Sequence, residues 1–302
     1  MKTDLQIHQL LEHFRDDQDV MPSTRRQYFN VMRLYFAWLD AQAIDWHSIG
    51  IAHIIKYKDQ LFAENKTIRT IRFYLVVIKI FFKWLNTNGI YPNIAEGIKL
   101  PKKQNSFSKK ALTAAQAKEL LQSIDTTTTI GKRDSALFYL YFTTGLRSVS
   151  VEAANIGDMQ KYLGVDVLWY LNKGARYKDR FKPLTDKCIE AVEIYLLARA
   201  LQDDWPLFIA YGNRGKGKRL SRQAMRFIFK KRLKEIGIND PLITLHSTRH
   251  THGVLSTKAV GAYETQLSLG HSDAKTTRIY NASADEDIIL HNRAGKAIDM
   301  LL

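Results

Sequence analysis

A break at residues 99–111, KLPKKQNSFSKKA, divides the chain before any element is assigned. Pro101 bars a helix from running through it, the Asn/Ser cluster brings almost no apolar side chains, and lysines crowd both ends. Such a stretch cannot enter a core, so each flank must fold on its own. A chain of 302 residues suits two domains of roughly 100–200 residues each. At 45% hydrophobic and 25% charged residues, both can bury an ordinary core. We therefore expect a domain over 1–98, a basic linker over 99–111 and a second domain over 112–302. The linker can lie along a polyanion or act as a solvated tether.

Ahead of the break, apolar residues recur at helical spacing over 5–14, 28–39, 51–62 and 71–85. Two of these stretches repeat at an offset of 46: Thr24, Tyr28, Val31, Phe36, Trp38 and Leu39 return as Thr70, Tyr74, Val77, Phe82, Trp84 and Leu85. Two copies are too few for a solenoid, so a helical bundle with two similar hairpins is expected. The Phe/Trp stripe reads as core. Arg26 and Arg72 repeat at the same offset on another face, where they meet either phosphates or water.

After the break, Thr113 can cap a helix over LTAAQAKELLQSI, and a second helix is expected over 134–143. An alternating apolar run over 165–171, the turn NKGARYKDR and the return segment FKPL form a hairpin signature. Helices are expected over 186–201, 221–236, 248–259, 263–268 and 276–280, with a final apolar-periodic stretch over 287–301. The fold class is mainly α with a small antiparallel sheet.

Charge narrows the partners. The chain carries 45 Lys and Arg against 30 Asp and Glu, a net +15, of which residues 101–302 hold +12. Nucleic acid is the commonest polyanion to answer such a surplus, although a solvated basic surface produces the same count. A single cysteine, Cys188, excludes a disulfide framework and any multi-cysteine metal site. No apolar run approaches the ~20 residues that span a bilayer. The N-terminus turns acidic where a signal peptide would need an apolar core. The expectation is a soluble cytoplasmic protein without membrane partners.

Two motifs fail on inspection. GNRGKGKR, residues 212–219, mimics a phosphate loop, but Arg219 stands where magnesium needs a Ser or Thr hydroxyl. A basic surface loop is expected there instead. His246 and His250 have the i, i+4 spacing of zinc ligands, with His252 nearby, yet the segment reads HSTRH rather than HExxH and places Arg249 beside any cation. No metal or cofactor is expected.

A third set fits phosphodiester chemistry. Arg147 lies in TTGLRSVS, Lys173 in the hairpin turn, His246 and Arg249 one helical turn apart, His271 in LGHSD and Tyr280 in TTRIYNA. Arginine's planar fork grips two non-bridging oxygens. Lysine can protonate a departing alkoxide, histidines can relay protons near neutral pH, and a phenol can act as covalent nucleophile. Each residue alone reads equally well as a cap, a surface group or packing. The joint pattern carries the weight.

TGLR, HxxRH and LGHSxxxTTxxY, in this order and spacing, resemble the tyrosine recombinase (phage integrase) family over nearly the whole chain. The resemblance implies a helical core-binding domain, a catalytic domain with a C-terminal tail helix, and a C-shaped clamp on DNA. It implies that Tyr280 attacks the scissile phosphate to leave a 3′-phosphotyrosyl enzyme and a free 5′-hydroxyl. Arg147 and Arg249 would clamp the phosphate, Lys173 would act as general acid, His246 would assist proton transfer, and His271 would hydrogen-bond the phosphate. Neither ATP nor a divalent metal is implied. The implied partners are double-stranded DNA with an inverted-repeat core site and a homo-tetramer joining two sites through a Holliday junction. The tail after Tyr280 would dock on a neighbouring protomer or pack on its own domain. An accessory DNA-bending protein is compatible with this reading, as is nucleoid association. Absence of an arm-binding domain leans toward Xer-type or mobile-element resolvases.

Type IB topoisomerases and telomere resolvases share the chemistry, and a DNA-binding regulator could keep the fold without turnover. Two departures stand out. Ser150 occupies a position where the family usually has an acid, with Glu152 nearby but out of register, and Lys178 rivals Lys173 in the same turn.

Overall fold

Short hydroxyl side chains set where many of the helices begin. Thr67, Thr113, Thr128, Thr185 and Ser221 each accept a hydrogen bond from the main-chain amide three residues on, at 3.0–3.4 Å. Each satisfies one of the amides that a helix start leaves unpaired. The computed structural model describes residues 2–102, 110–172, 174–199, 205–213, 215–270 and 291–302. It divides into two compact units, Met1–Ser106 and Phe107–Leu302.

The first unit holds α1 (Lys2–Asp16), α2 (Pro22–Ala41), α3 (Ile51–Ala63) and α4 (Ile68–Thr87). The repeated stripe is core: Val31, Phe36 and Leu39 of α2 and Val77, Phe82 and Leu85 of α4 are all buried. Phe81 meets Phe14 and Phe36 in T-shaped contacts at centroid distances of 5.0 and 5.8 Å. The two repeated arginines diverge. Arg72 donates to the carbonyl of Pro101, whereas Arg26 is exposed.

The second unit holds α5 (Ala114–Gln122), α6 (Thr129–Thr144), α7 (Ser148–Ala153), a three-stranded sheet, α8 (Asp186–Leu197), α9 (Arg222–Glu235), α10 (Leu245–Val260), α11 (Ala262–Leu269) and α12 (Arg293–Leu301). Strands β1 (Met159–Tyr162), β2 (Val165–Tyr170) and β3 (Arg180–Pro183) pair antiparallel in that order. Helix α6 is buried on nearly every side, from Gly131 to Thr144, which makes it the axis of the unit. Helices α8, α10 and α12 pack against it.

Five sequence expectations change. Helix α6 begins at Thr129, five residues before the expected 134, where Thr128 accepts from the Gly131 amide at 3.0 Å. Strand β1 and helix α7 were not anticipated, because four half-exposed residues and six residues are too short to show a period. Helix α8 ends at Leu197, capped by Ala198, rather than near 201. Helix α10 begins at Leu245, three residues early, because the Thr244 amide donates to Ser247 Oγ at 3.0 Å and closes the first turn. That places His246 inside the helix. The helix expected over 276–280 lies outside the described residues, as do 103–109 of the linker.

Asp134 fixes α9 against α6. It is 2% exposed and accepts from Arg133 Nε and Nη2 at 2.9 and 2.6 Å and from Arg232 Nε and Nη2 at 3.0 and 2.6 Å. Removing the carboxylate strands Arg133, itself 5% exposed. Asp134→Ala should lower the unfolding free energy by about 3–5 kcal/mol, read from urea titration, whereas replacing the exposed Asp19 should change it little.

Candidate active site

The last turn of α6 and the turn after it are shaped by one glycine. Gly145 ends the helix in the left-handed conformation, at φ +61°, and a Cβ there would lie 2.9 Å from atoms of His252 and Leu269. Only glycine meets both demands. Leu146 then turns into the core, and Arg147 emerges in extended conformation as the N-cap of α7. Its Nη1 lies 3.4 Å from Asn172 Oδ1, which ties the first arginine to the hairpin turn.

Arg249 projects from the second turn of α10 and is 6% exposed. Its Nη1 donates to the Gly145 carbonyl and its Nη2 to the Leu269 carbonyl, both at 2.7 Å. Burial, with Arg147 nearby, brings its pKa down to about 10, so it stays cationic at neutral pH. His246 lies one turn earlier and is exposed. A cleft of about 440 Å³ is lined by Arg147, Ser148, Arg226, Thr244, His246 and Arg249, among others. Three of the six candidates thus meet at one cationic cleft. Lys173, His271 and Tyr280 lie outside the described residues.

Two basic groups escaped the sequence reading. Arg226 of α9 joins the cleft wall. Lys182 of β3 is buried opposite Leu168, and burial together with Arg249, Arg147 and Arg180 lowers its pKa to about 7. Strand alternation sets Lys182 on the face opposite Phe181, and that this face is a buried one shows only in the fold.

Other residues are framework. His252 is fully buried; its Nδ1–H donates to the Phe142 carbonyl at 2.8 Å, so Nε2 accepts from Ser268 at 2.9 Å. Both ring nitrogens are spent on joining α6, α10 and α11, which leaves none for a metal. In the 212–219 loop, Arg219 donates to the carbonyls of Glu152 and Ala154 at 2.7 and 2.8 Å, capping the end of α7. Glu152 accepts from the Arg222 amide at 3.0 Å and pairs with Arg222 Nε at 2.7 Å, so it anchors the start of α9. Lys178 pairs with Asp158. Ser150, where the family usually has an acid, donates to the Leu171 carbonyl at 2.7 Å and fastens α7 to the end of β2, two residues before Lys173.

The family model described as Phage integrase family matches residues 110–287. Tyrosine recombinase XerC of Pseudomonas syringae pv. syringae strain B728a is 29% identical over 276 residues, covering 89% of this chain and 88% of the relative. Solved structures share the fold. XerH site-specific recombinase bound to palindromic difH substrate in a post-cleavage complex aligns at TM-score 0.66 and 19% identity, over 82% of this chain and 73% of that one. A lambda integrase tetramer bound to a Holliday junction aligns at 0.65 and 16%, over 90% and 80%. The chain belongs to the phage integrase family, the tyrosine recombinases, and its activity is site-specific recombination.

Two outcomes test the framework. Gly145→Ala should cost about 1–3 kcal/mol of stability from left-handed strain plus contact with His252 and Leu269, measured as a lowered denaturation midpoint. His252 has a pKa pushed down to about 3 by burial, against 6.5 when unfolded. The unfolded chain therefore takes up a proton that the folded one refuses, so this contribution is complete above pH 6.5 and falls away as pH drops toward 3. Unfolding free energy should fall by about 2 kcal/mol from pH 6.5 to 5. His252→Asn, less stable throughout, should lack that part of the slope.

Proposed function

We propose that the cleft between α7 and α10 holds the scissile phosphate of duplex DNA and that Tyr280 cleaves it. The convergence of Arg147, His246 and Arg249 on one cleft is the observation that supports this reading. The Tyr280 oxygen forms a bond to phosphorus while the bond from phosphorus to the 5′-oxygen breaks. Lys173 donates the proton that the leaving 5′-oxygen needs, and His246 takes up the phenol proton. The products are a 3′-phosphotyrosyl enzyme and a free 5′-hydroxyl. A second 5′-hydroxyl reverses the step on a new partner strand, conserving the phosphodiester energy.

Arg249 and Arg147 supply the charge stabilisation. The donors of Arg249 not taken by main-chain carbonyls, with those of Arg147, meet the non-bridging oxygens as negative charge builds there. His271 adds a further donor. We extend the reading to an inverted-repeat core site and to four copies acting on two sites through a Holliday junction, an assembly in keeping with the lambda integrase tetramer. In this reading residues 1–98 serve as the core-binding domain and 112–302 as the catalytic domain, with the basic linker 99–111 between them.

Nicked duplexes carrying the DNA that flanks the gene test this directly. Loss of a short 5′-hydroxyl fragment should trap an SDS-resistant adduct with the wild-type chain, in EDTA and without ATP. Tyr280→Phe should form none. Arg249→Lys should form adduct about 100-fold more slowly or worse, because an ammonium cannot reproduce the two-pronged contact. An adduct of unchanged yield in Tyr280→Phe would overturn the assignment.

A further inference from the structure

Helix α9 carries two faces. Met225, Phe229 and Leu233 are fully buried and supply its share of the core. Phe227 lies on the opposite side and is 72% exposed. On that stripe Gln223 stands four residues before it and Lys230, Lys231 and Lys234 follow at three, four and seven residues, so a bare aromatic ring sits amid one polar and basic surface. Arg226, the adjacent residue, lines the cleft with Arg147, His246 and Arg249. Arg226 is about 100° around the helix from Phe227, so α9 borders the phosphate site on one side and carries the exposed ring on the next.

A lone apolar side chain on a surface is ordinary. Its setting here is not: the flanking side chains are those that meet phosphates and base edges, and glutamine can bond the adenine edge through both amide atoms. An α-helix with its side chains is ~10–12 Å across, which fits the ~12 Å major groove of B-DNA and not the ~6 Å minor groove. Within the major groove, the apolar feature that a phenyl ring can cover is the C5-methyl of thymine. A helix of 14 residues spans about 21 Å, or about six base pairs.

We propose that Phe227 packs against a thymine methyl in the major groove beside the cleavage point, making α9 a determinant of which DNA sites this enzyme accepts. This rests on the recombinase reading above. Lys234 and Lys231, the latter 3.8 Å from Glu235, meet the backbone, while Lys230 donates to the Asp240 carbonyl at 2.8 Å and shapes the end of the helix; the ring discriminates. The thymine lies within about six base pairs of the scissile phosphate, on the side toward which α9 runs from Arg226.

The test uses the full chain and a random-sequence duplex library. Bound duplexes are selected separately with wild type, Phe227→Ala and Phe227→Leu, and sequenced. Wild type should enrich a motif containing a thymine that Phe227→Ala no longer selects, with the other positions retained; Phe227→Leu should keep part of the preference. Replacing that thymine by deoxyuridine in the selected duplex removes only the methyl. It should weaken wild-type binding about four-fold, the size of one buried methyl group, and leave Phe227→Ala unaffected. Because Phe227 is exposed, both variants should melt with the wild type. Identical motifs from wild type and Phe227→Ala would overturn the inference. If those duplexes, nicked, still gave Tyr280 adducts, the recombinase reading would stand without it. Wild-type binding with no enriched motif would overturn the inference, and failure to form adducts on any duplex would count against the reading beneath it.

Discussion

The hydrogen bonds of Arg249 hold the second unit together around its cationic cleft. Its two donors reach the carbonyl of Gly145, at the end of α6, and of Leu269, the last residue of α11. Helix C-termini present carbonyls with partial negative charge and no partners of their own. A buried guanidinium satisfies them, and they stabilise it without cancelling it as a carboxylate would. Among the described residues the hydrogen bonds of Arg249 go to carbonyls, so a nearly full positive charge is kept in a cleft that Arg147 and Arg226 also line. The same contacts that tie two helix ends to α10 thus keep cationic charge beside the cleft.

Acidic residues near the site are assigned elsewhere, and that division of labour preserves the charge. Glu152 holds the start of α9 through Arg222, Asp158 holds Lys178, and Asp134 is enclosed by Arg133 and Arg232. Ser150 fastens α7 to β2 with a neutral hydroxyl, performing a support role without adding negative charge beside Arg147. His252, neutral because it is buried, completes the frame without altering the balance.

Much of this was legible in the sequence, for physical reasons that differ by element. The long helices showed their apolar period, and Thr113 declared its cap. The hairpin was visible through strand alternation around a glycine-containing turn. Arg147, His246 and Arg249 were legible because their spacing fits one chemistry. Strand β1 and helix α7 were not, since four and six residues carry no measurable period. Arg226 and Lys182 were missed because their roles depend on which face of α9 turns toward the cleft and which face of β3 turns into the core, both tertiary facts. Arg219 was enough to rule out a phosphate cradle in the sequence, but that its guanidinium caps α7 depends on a long-range contact no local pattern shows.

The central claim is that the cationic cleft serves a phosphotyrosyl exchange at Tyr280. Digesting a trapped wild-type adduct with trypsin and nuclease, then sequencing the nucleotide-bearing peptide by mass spectrometry, tests it most directly. The account predicts a 3′-phosphonucleotide on Tyr280 within the peptide spanning 279–293. A nucleotide attached to any other residue, or through a 5′-phosphate, would contradict it.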